Sequence, residues 1–208
     1  MDIIWHGHSC FELVSGGYSA VIDPFQDTSV GTAYPHVRLT ADAVYISHED
    51  RDHNFREGVT LRSNGKTNPF AVTELETYHD IMRGRLRGMN TVRIFAAEGM
   101  RVAHLGDLGC IPDHNVLGAL QNVDVMLLPV GGHYTIDGET AAEIVRLTRP
   151  RTVIPMHYKV PGLTVDVAGA EDFLKRMEGA EMIDGYELEI NPMTPKVACF
   201  AKCMSSAN

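Results

Sequence analysis

The sequence predicts an α+β fold with a layered αββα architecture, and three observations carry the prediction. Short alternating or apolar runs of strand length dominate the first half, and two amphipathic runs of helical period fall in the second. Beyond residue 120, strand and helix alternate. No internal repeat, low-complexity segment or break in composition divides the 208 residues, so one domain over 1–208 is expected.

Residues 2–14 and 18–25 alternate as strands, with Ser15-Gly16-Gly17 as the hairpin turn between them. Asp23-Pro24-Phe25 closes the second, and 26–40 reads as loop. Ala43 to Ser47 is a short apolar run, expected as a buried strand that empties into His48-Glu49-Asp50-Arg51-Asp52-His53. Val59 to Leu61, Phe70 to Thr73 and Thr91 to Ala96 are further strands, and the run from Glu74 to Tyr78 is strand-like. Glu98-Gly99 turns into a strand over Met100 to Leu105, which Gly106-Asp107-Leu108-Gly109 breaks. Val116 to Gln121 is a short helix, and Val123 to Val130 an apolar strand stopped by Gly131-Gly132. Asp137 to Leu147 is an amphipathic helix with Asp137 as N-cap and Ala141, Ile144, Val145 and Thr148 on one face. Thr152 to Pro155 is a strand, Asp166 to Met177 a helix, and 185–190 and 196–201 are the closing strands.

Composition limits function. Hydrophobic residues at 44% and charged residues at 22% are those of a folded globular chain. Eighteen basic against 27 acidic residues leave a net charge of -9, which argues against a general nucleic-acid binder. The Met-Asp-Ile-Ile-Trp-His start lacks a basic and apolar leader, and no apolar run approaches the ~18 residues of a membrane span. A soluble, cytoplasmic protein with no membrane partner is expected. Four Cys show no C-x-x-C spacing; Cys199 and Cys203 read as fillers of a terminal strand rather than a metal pair.

The chemistry concentrates in His48-x-Asp50-x-Asp52-His53, four potential ligands in six residues just after a buried strand. Imidazole and carboxylate together suit borderline and hard divalent cations. His79, Asp107 and His157 each lie at or near the close of a predicted strand, where loops gather into a site. Each alone reads as an ordinary strand-end residue; together with the His48 loop they read as one metal centre.

These residues, with Gly7-His8-Ser9-Cys10-Phe11, Asp23-Pro24-Phe25, His104 to Gly109, Leu128 to Gly132 and Ile154 to Tyr158, resemble the metallo-β-lactamase superfamily. The branch they are most similar to contains L-ascorbate-6-phosphate lactonase-like proteins, and the resemblance spans nearly the whole chain. It implies a four-layer αββα sandwich with the site at one edge between two sheets. It implies two divalent cations, manganese, zinc or iron: one on His48, Asp50 and His79, the other on Asp52, His53 and His157, with Asp107 shared. It also implies a water acidified between the two cations as nucleophile. Asp52 and Asp107 are therefore expected to be catalytic as well as ligating. The sequence departs from the usual pattern at Asp50, where the family has His; a carboxylate there favours manganese or iron over zinc. The alternative is that Asp50 does not reach, and one cation is weakly held or missing.

Supporting roles follow. Asp23 is expected either to orient a ligand His or simply to cap its strand. His8 is placed as a substrate contact or a core residue, and His104, three residues before Asp107, as a support behind the ligands or a proton donor. His133, after Gly131-Gly132, is a candidate general acid or a solvated loop residue. Arg83, Arg85 and Arg87 form a local basic cluster after His79. Arg85 and Arg87 with Lys159 are candidate anion contacts. His6, His36 and His114 lack such context.

The expected function is a metal-dependent hydrolase cleaving a lactone or phosphodiester of a small anionic substrate, with a homo-oligomer left open. Three alternatives stand beside it: a nuclease or RNA-processing phosphodiesterase, a flavodiiron-like redox site suggested by Asp50, and a non-catalytic metal-binding module.

Overall fold

The computed structural model describes residues 1–201. In chain order the strands are β1 (Asp2–Gly7), β2 (Cys10–Ser15), β3 (Tyr18–Ile22), β4 (Leu39–Ala41), β5 (Ala43–Tyr45), β6 (Val59–Leu61) and β7 (Ala71–Tyr78). They continue with β8 (Met89–Ala97), β9 (Met100–His104), β10 (Val125–Pro129), β11 (Thr152–Met156), β12 (Ala180–Ile183), β13 (Glu187–Glu189) and β14 (Val197–Phe200). The helices are α1 (His114–Ala119), α2 (Gly138–Thr148) and α3 (Glu171–Lys175).

Two sheets form the body. One has the order β13-β1-β2-β3-β5, the other β12-β14-β11-β10-β9-β8-β7, while β4 and β6 pair as a separate ribbon. Alternation explains how the first sheet packs. Phe11, Leu13, Ala20 and Ile22 point into a cluster shared with Val92, Phe95, Ala103 and Leu127 of the second sheet. Cys10 and Val21 point the other way, into a smaller cluster with Phe25, Val37, Ala41, Val59 and Leu163. The first sheet is thus covered outside by the β4–β6 ribbon and loops. The buried helix residues Val116, Ala141, Ile144 and Phe173 join the larger cluster. The expected α+β sandwich is present, with its helices all following β9.

The topology also decides where loops meet. β9, β10 and β11 run parallel, and β7 is related to β9 through the antiparallel β8, so β7, β9 and β11 all end at one edge. In the other sheet β3 and β5 are parallel, and the start of β2 lies opposite the end of β3. The β1–β2 turn and the ends of β3 and β5 therefore share an edge.

Several expected elements differ. The strand expected over 2–14 is two strands, because Gly7 takes φ 113° and turns the chain; a Cβ there would overlap the Tyr34 ring. The strand expected to start at Phe70 continues to Tyr78. The helix expected over 166–177 is cut to Glu171–Lys175. Residues before it are spent on other pairings: the Ala168 N–H donates to the Gly131 carbonyl, and the Lys159 N–H donates to the Ala168 carbonyl. β12 was not expected, since Ala180–Ile183 is mostly exposed and does not alternate. Cys199 is buried on β14, whereas Cys203 lies outside the described residues. No helix among the described residues is long and apolar enough to cross a membrane.

Candidate metal centre

Five chain segments deliver side chains to the shared edge. The β1–β2 turn brings His8, the segment after β5 brings His48, Asp50, Asp52 and His53, and the ends of β7, β9 and β11 bring His79, Asp107 and His157. Two groups result. His8, Asp52, His53 and His157 place one donor atom each within 4.8 Å of one another, and so do His48, His79 and Asp107.

Asp107 stands between the groups. Its Oδ1 is 3.2 Å from His53 Nε2; its Oδ2 is 3.2 Å from His157 Nε2, 3.5 Å from His79 Nε2 and 3.9 Å from His48 Nε2. Asp50 sits at the rim with its side chain 61% exposed, its Oδ2 3.4 Å from His48 Nε2 and 3.5 Å from His79 Nε2. The structure thus brings all seven expected ligands to one place, including the unusual carboxylate.

A chain of hydrogen bonds aims the rings. The buried Asp23 carboxylate accepts from the Ser47 N–H (2.6 Å), the Ser47 hydroxyl (2.6 Å) and His53 Nδ1–H (3.0 Å). Ser47 Oγ in turn accepts from His48 Nδ1–H at 2.9 Å. In the neutral rings this network puts the proton on Nδ1 and leaves each Nε2, on the Asp107 side, as the atom able to ligate. Of the two readings of Asp23, the orienting one describes what its carboxylate does. Ser47 and Asn90 were not singled out in the sequence. The Asn90 amide accepts from the Asp107 N–H (2.9 Å) and donates to Thr77 Oγ1 and the Leu105 carbonyl (both 2.9 Å), which fixes the turn carrying Asp107. A lone buried Ser or Asn carries no sequence signal; only the three-dimensional pairing reveals it.

Charge follows the geometry. Burial disfavours the Asp107 carboxylate, but His157 and His53 outweigh it and hold its pKa well below the usual range. Asp23 is held at about 2, burial again opposing and His53 and His104 prevailing. His53 is raised well above 6.5: burial opposes its charge, while Asp107 and Asp52 outweigh burial. His8 is lowered to about 4 by burial and by His157.

Other expected site residues are placed differently. His8 Nε2 donates to Asp52 Oδ2 at 3.2 Å, and its ring lies 4.2 Å from that of His157. It is buried within the donor cluster rather than on a substrate-facing wall. His104 cannot act as the proton donor: its Nε2–H donates to the Ser9 carbonyl (2.9 Å) and its Nδ1 accepts from the Gly106 N–H (3.1 Å), so both nitrogens are occupied by backbone. Lys159 is not an anion contact, because its ammonium donates to the carbonyls of Leu163 (2.6 Å) and Val165 (3.0 Å). It lines a separate cavity of about 670 Å³ beside Trp5 and Tyr158. His133 is half exposed, with Nδ1 3.7 Å from Asp166 Oδ2. Arg85 is exposed, Arg83 lines a third cavity beside β7, and the Arg87 guanidinium lies over the Tyr134 ring. Above the donors is a cavity of about 350 Å³ lined by Asp50, Asp52, His79, Asp107 and His157, with Ser29, Tyr134, Thr164, Val165 and Asp166 forming the other walls.

The donor set fits cations. His48 Nε2, His53 Nε2, His157 Nε2 and Asp107 Oδ1 are buried with no hydrogen-bond partner among the described residues. Buried polar atoms left unpaired are costly, and four aimed at one space are satisfied together by a divalent ion.

Residues 2–157 match the family described as the β-lactamase superfamily domain. The chain belongs to the β-lactamase superfamily. Within the superfamily it is similar to a UPF0173 metal-dependent hydrolase of Thermoplasma acidophilum, at 32% identity over 189 residues, 76% of this chain and 83% of that protein. A UPF0173 metal-dependent hydrolase of Archaeoglobus fulgidus is 27% identical and covers 94% of this chain and 96% of its own. A Thermotoga maritima crystal structure, described as a Zn-dependent hydrolase of the metallo-β-lactamase superfamily, matches with TM-score 0.75 and 32% identity over 96% of this chain and 97% of that one. The superfamily member described here is accordingly a metal-dependent hydrolase.

Proposed function

We propose that the chain cleaves an ester-type bond, a lactone or phosphodiester, in a small anionic substrate at a two-cation centre. The observation that carries this reading is the position of Asp107, one carboxylate within 3.9 Å of four imidazoles drawn from both donor groups. His48, His79 and Asp50 would hold one cation, Asp52, His53, His157 and the adjoining His8 the other, and Asp107 both. Divalent ions there would acidify water and stabilise the oxyanion that develops on an ester.

The chain's own residues prepare that chemistry. Asp23 and Ser47 fix His53 and His48 in the tautomer that presents Nε2. His8 donates to one oxygen of Asp52 and so orients the carboxylate. His133, whose Nδ1 lies 3.7 Å from Oδ2 of the cavity-lining Asp166, is the candidate to protonate a leaving group. The Asp50 carboxylate, standing where the family has His, favours manganese or iron on that side. The net charge of -9 and the Asp166 carboxylate on the cavity wall support a compact substrate held by the cations over a nucleic-acid backbone.

The test is turnover of generic lactones and phosphodiesters by protein loaded with manganese, zinc or iron, with metal counted per chain. Turnover that disappears in Asp107→Ala and on chelation is expected. No turnover of either class sinks the reading, and no more than one ion per chain at saturating metal removes its two-cation form.

A further inference from the structure

The segment after β7 is wrapped around one buried carboxylate. Asp80 accepts from the backbone N–H groups of Met82 (2.7 Å), Gly84 (3.0 Å), Leu86 (3.0 Å) and Arg87 (2.8 Å). The Gly88 carbonyl closes the segment by accepting from the His79 N–H at 3.1 Å. One rigid loop therefore carries both His79, which faces Asp107, and Arg87. The Arg87 guanidinium carbon lies 5.1 Å from the centroid of Tyr134, a wall of the cavity above the donors. Among the described residues no carboxylate pairs with Arg87, whose guanidinium contact is the Tyr134 ring. A guanidinium stacked on a ring keeps its edge N–H groups free for a two-point contact.

We propose that Arg87, held on Tyr134, determines specificity by binding an oxyanion on the part of the substrate that is not cleaved. This rests on the hydrolase reading above and narrows its substrate class to molecules with a second anionic group, carboxylate or phosphate, remote from the scissile bond. Arg87 reaches this cavity through Tyr134, the wall residue its guanidinium covers. Asp166 places a negative charge on a wall, while Asp50 and Asp52 would be committed to the cations. Lys159 is turned away to carbonyls and Arg83 faces another cavity, so neither offers the countercharge. Because Asp80 ties Arg87 and His79 into one loop, the anchor and the reacting centre stay at a fixed spacing.

The experiment is calorimetric binding to the metal-loaded full chain. Glutarate is compared with its monomethyl ester, and 4-phosphonobutyrate tests the phosphate-like form of the same contact. The wild type is expected to bind the doubly anionic ligands about tenfold more tightly than the monoester. Arg87→Ala and Tyr134→Ala should erase that preference, Tyr134→Phe should keep it, and the larger of the two losses identifies carboxylate or phosphate. Equal binding of diacid and monoester by the wild type, or a preference that survives Arg87→Ala, overturns the proposal. In turnover, Arg87→Ala should raise KM for a carboxylated lactone more than for a neutral one. If neither lactones nor phosphodiesters are hydrolysed the functional reading fails, while the binding comparison still decides Arg87.

Discussion

Asp23 accepts three hydrogen bonds without lining the cavity, and two of them lead to imidazoles of different donor groups. Removing such a supporting acceptor typically costs about 10–100-fold in metal affinity. Asp23→Ala is expected to weaken cation binding by that amount in a competition with a chelating dye; unchanged affinity would refute the orienting role. The same residue sets an acid dependence. Its folded pKa of about 2 lies below the 3.8 of a free aspartate, so its stabilisation is present above about pH 4 and is lost as pH falls through 2. The metal-free variant should show a flatter loss of stability over that range. Most of the centre was legible in the sequence, because His48, Asp50, Asp52, His53, His79, Asp107 and His157 all mark strand ends. His104 and Lys159 were misplaced for a definite reason: their polar atoms are satisfied by backbone carbonyls and amides, and sequence does not reveal where those groups point.

At the scale of elements, the loops are positioned by close approach as much as by hydrogen bonding. Gly131 follows β10, and a Cβ at that position would lie inside the carbonyl of His157 at the end of the neighbouring β11. Gly131→Ala is expected to destabilise by about 1–3 kcal/mol, the usual cost of an overpacked site. Urea denaturation measures it, and a variant as stable as the wild type would show that the two loops have room. Strands that alternate or are wholly apolar, such as β2 and β10, were recoverable from pattern. The short α3 was not, because its expected first turns contain Gly169 and a stretch that pairs with Gly131 and Lys159 instead. β12 escaped because an exposed edge strand has no buried face to pattern it.

For the whole molecule, the centre joins two sheets. His8, Asp23 and the His48 loop hang from the first, His79, Asp107 and His157 from the second. A cation bound only by the folded state at a hundred times its dissociation constant adds about 2.7 kcal/mol, or roughly 5–10 °C in Tm for a chain of this size. Chelation should lower the melting temperature by that amount, and an unaltered transition would deny the coupling. Uptake should also release protons. His53 is raised above 6.5 when the metal is absent, so its protonated form stabilises the fold at low pH and that contribution fades as pH climbs through the raised value. A ligand must be deprotonated, so apparent affinity should rise with pH, and calorimetry in two buffers of different ionisation enthalpy counts the protons.

The donors of one group run from His8 to His157, about seven-tenths of the chain, whereas His48, His79 and Asp107 all lie ahead of α1. A nascent polypeptide leaving the ribosome therefore gathers nearly all of itself before the His8 to His157 group can capture an ion. A product truncated ahead of β11 would lack His157, hold only the group of His48, His79 and Asp107, and be the form a protease finds first.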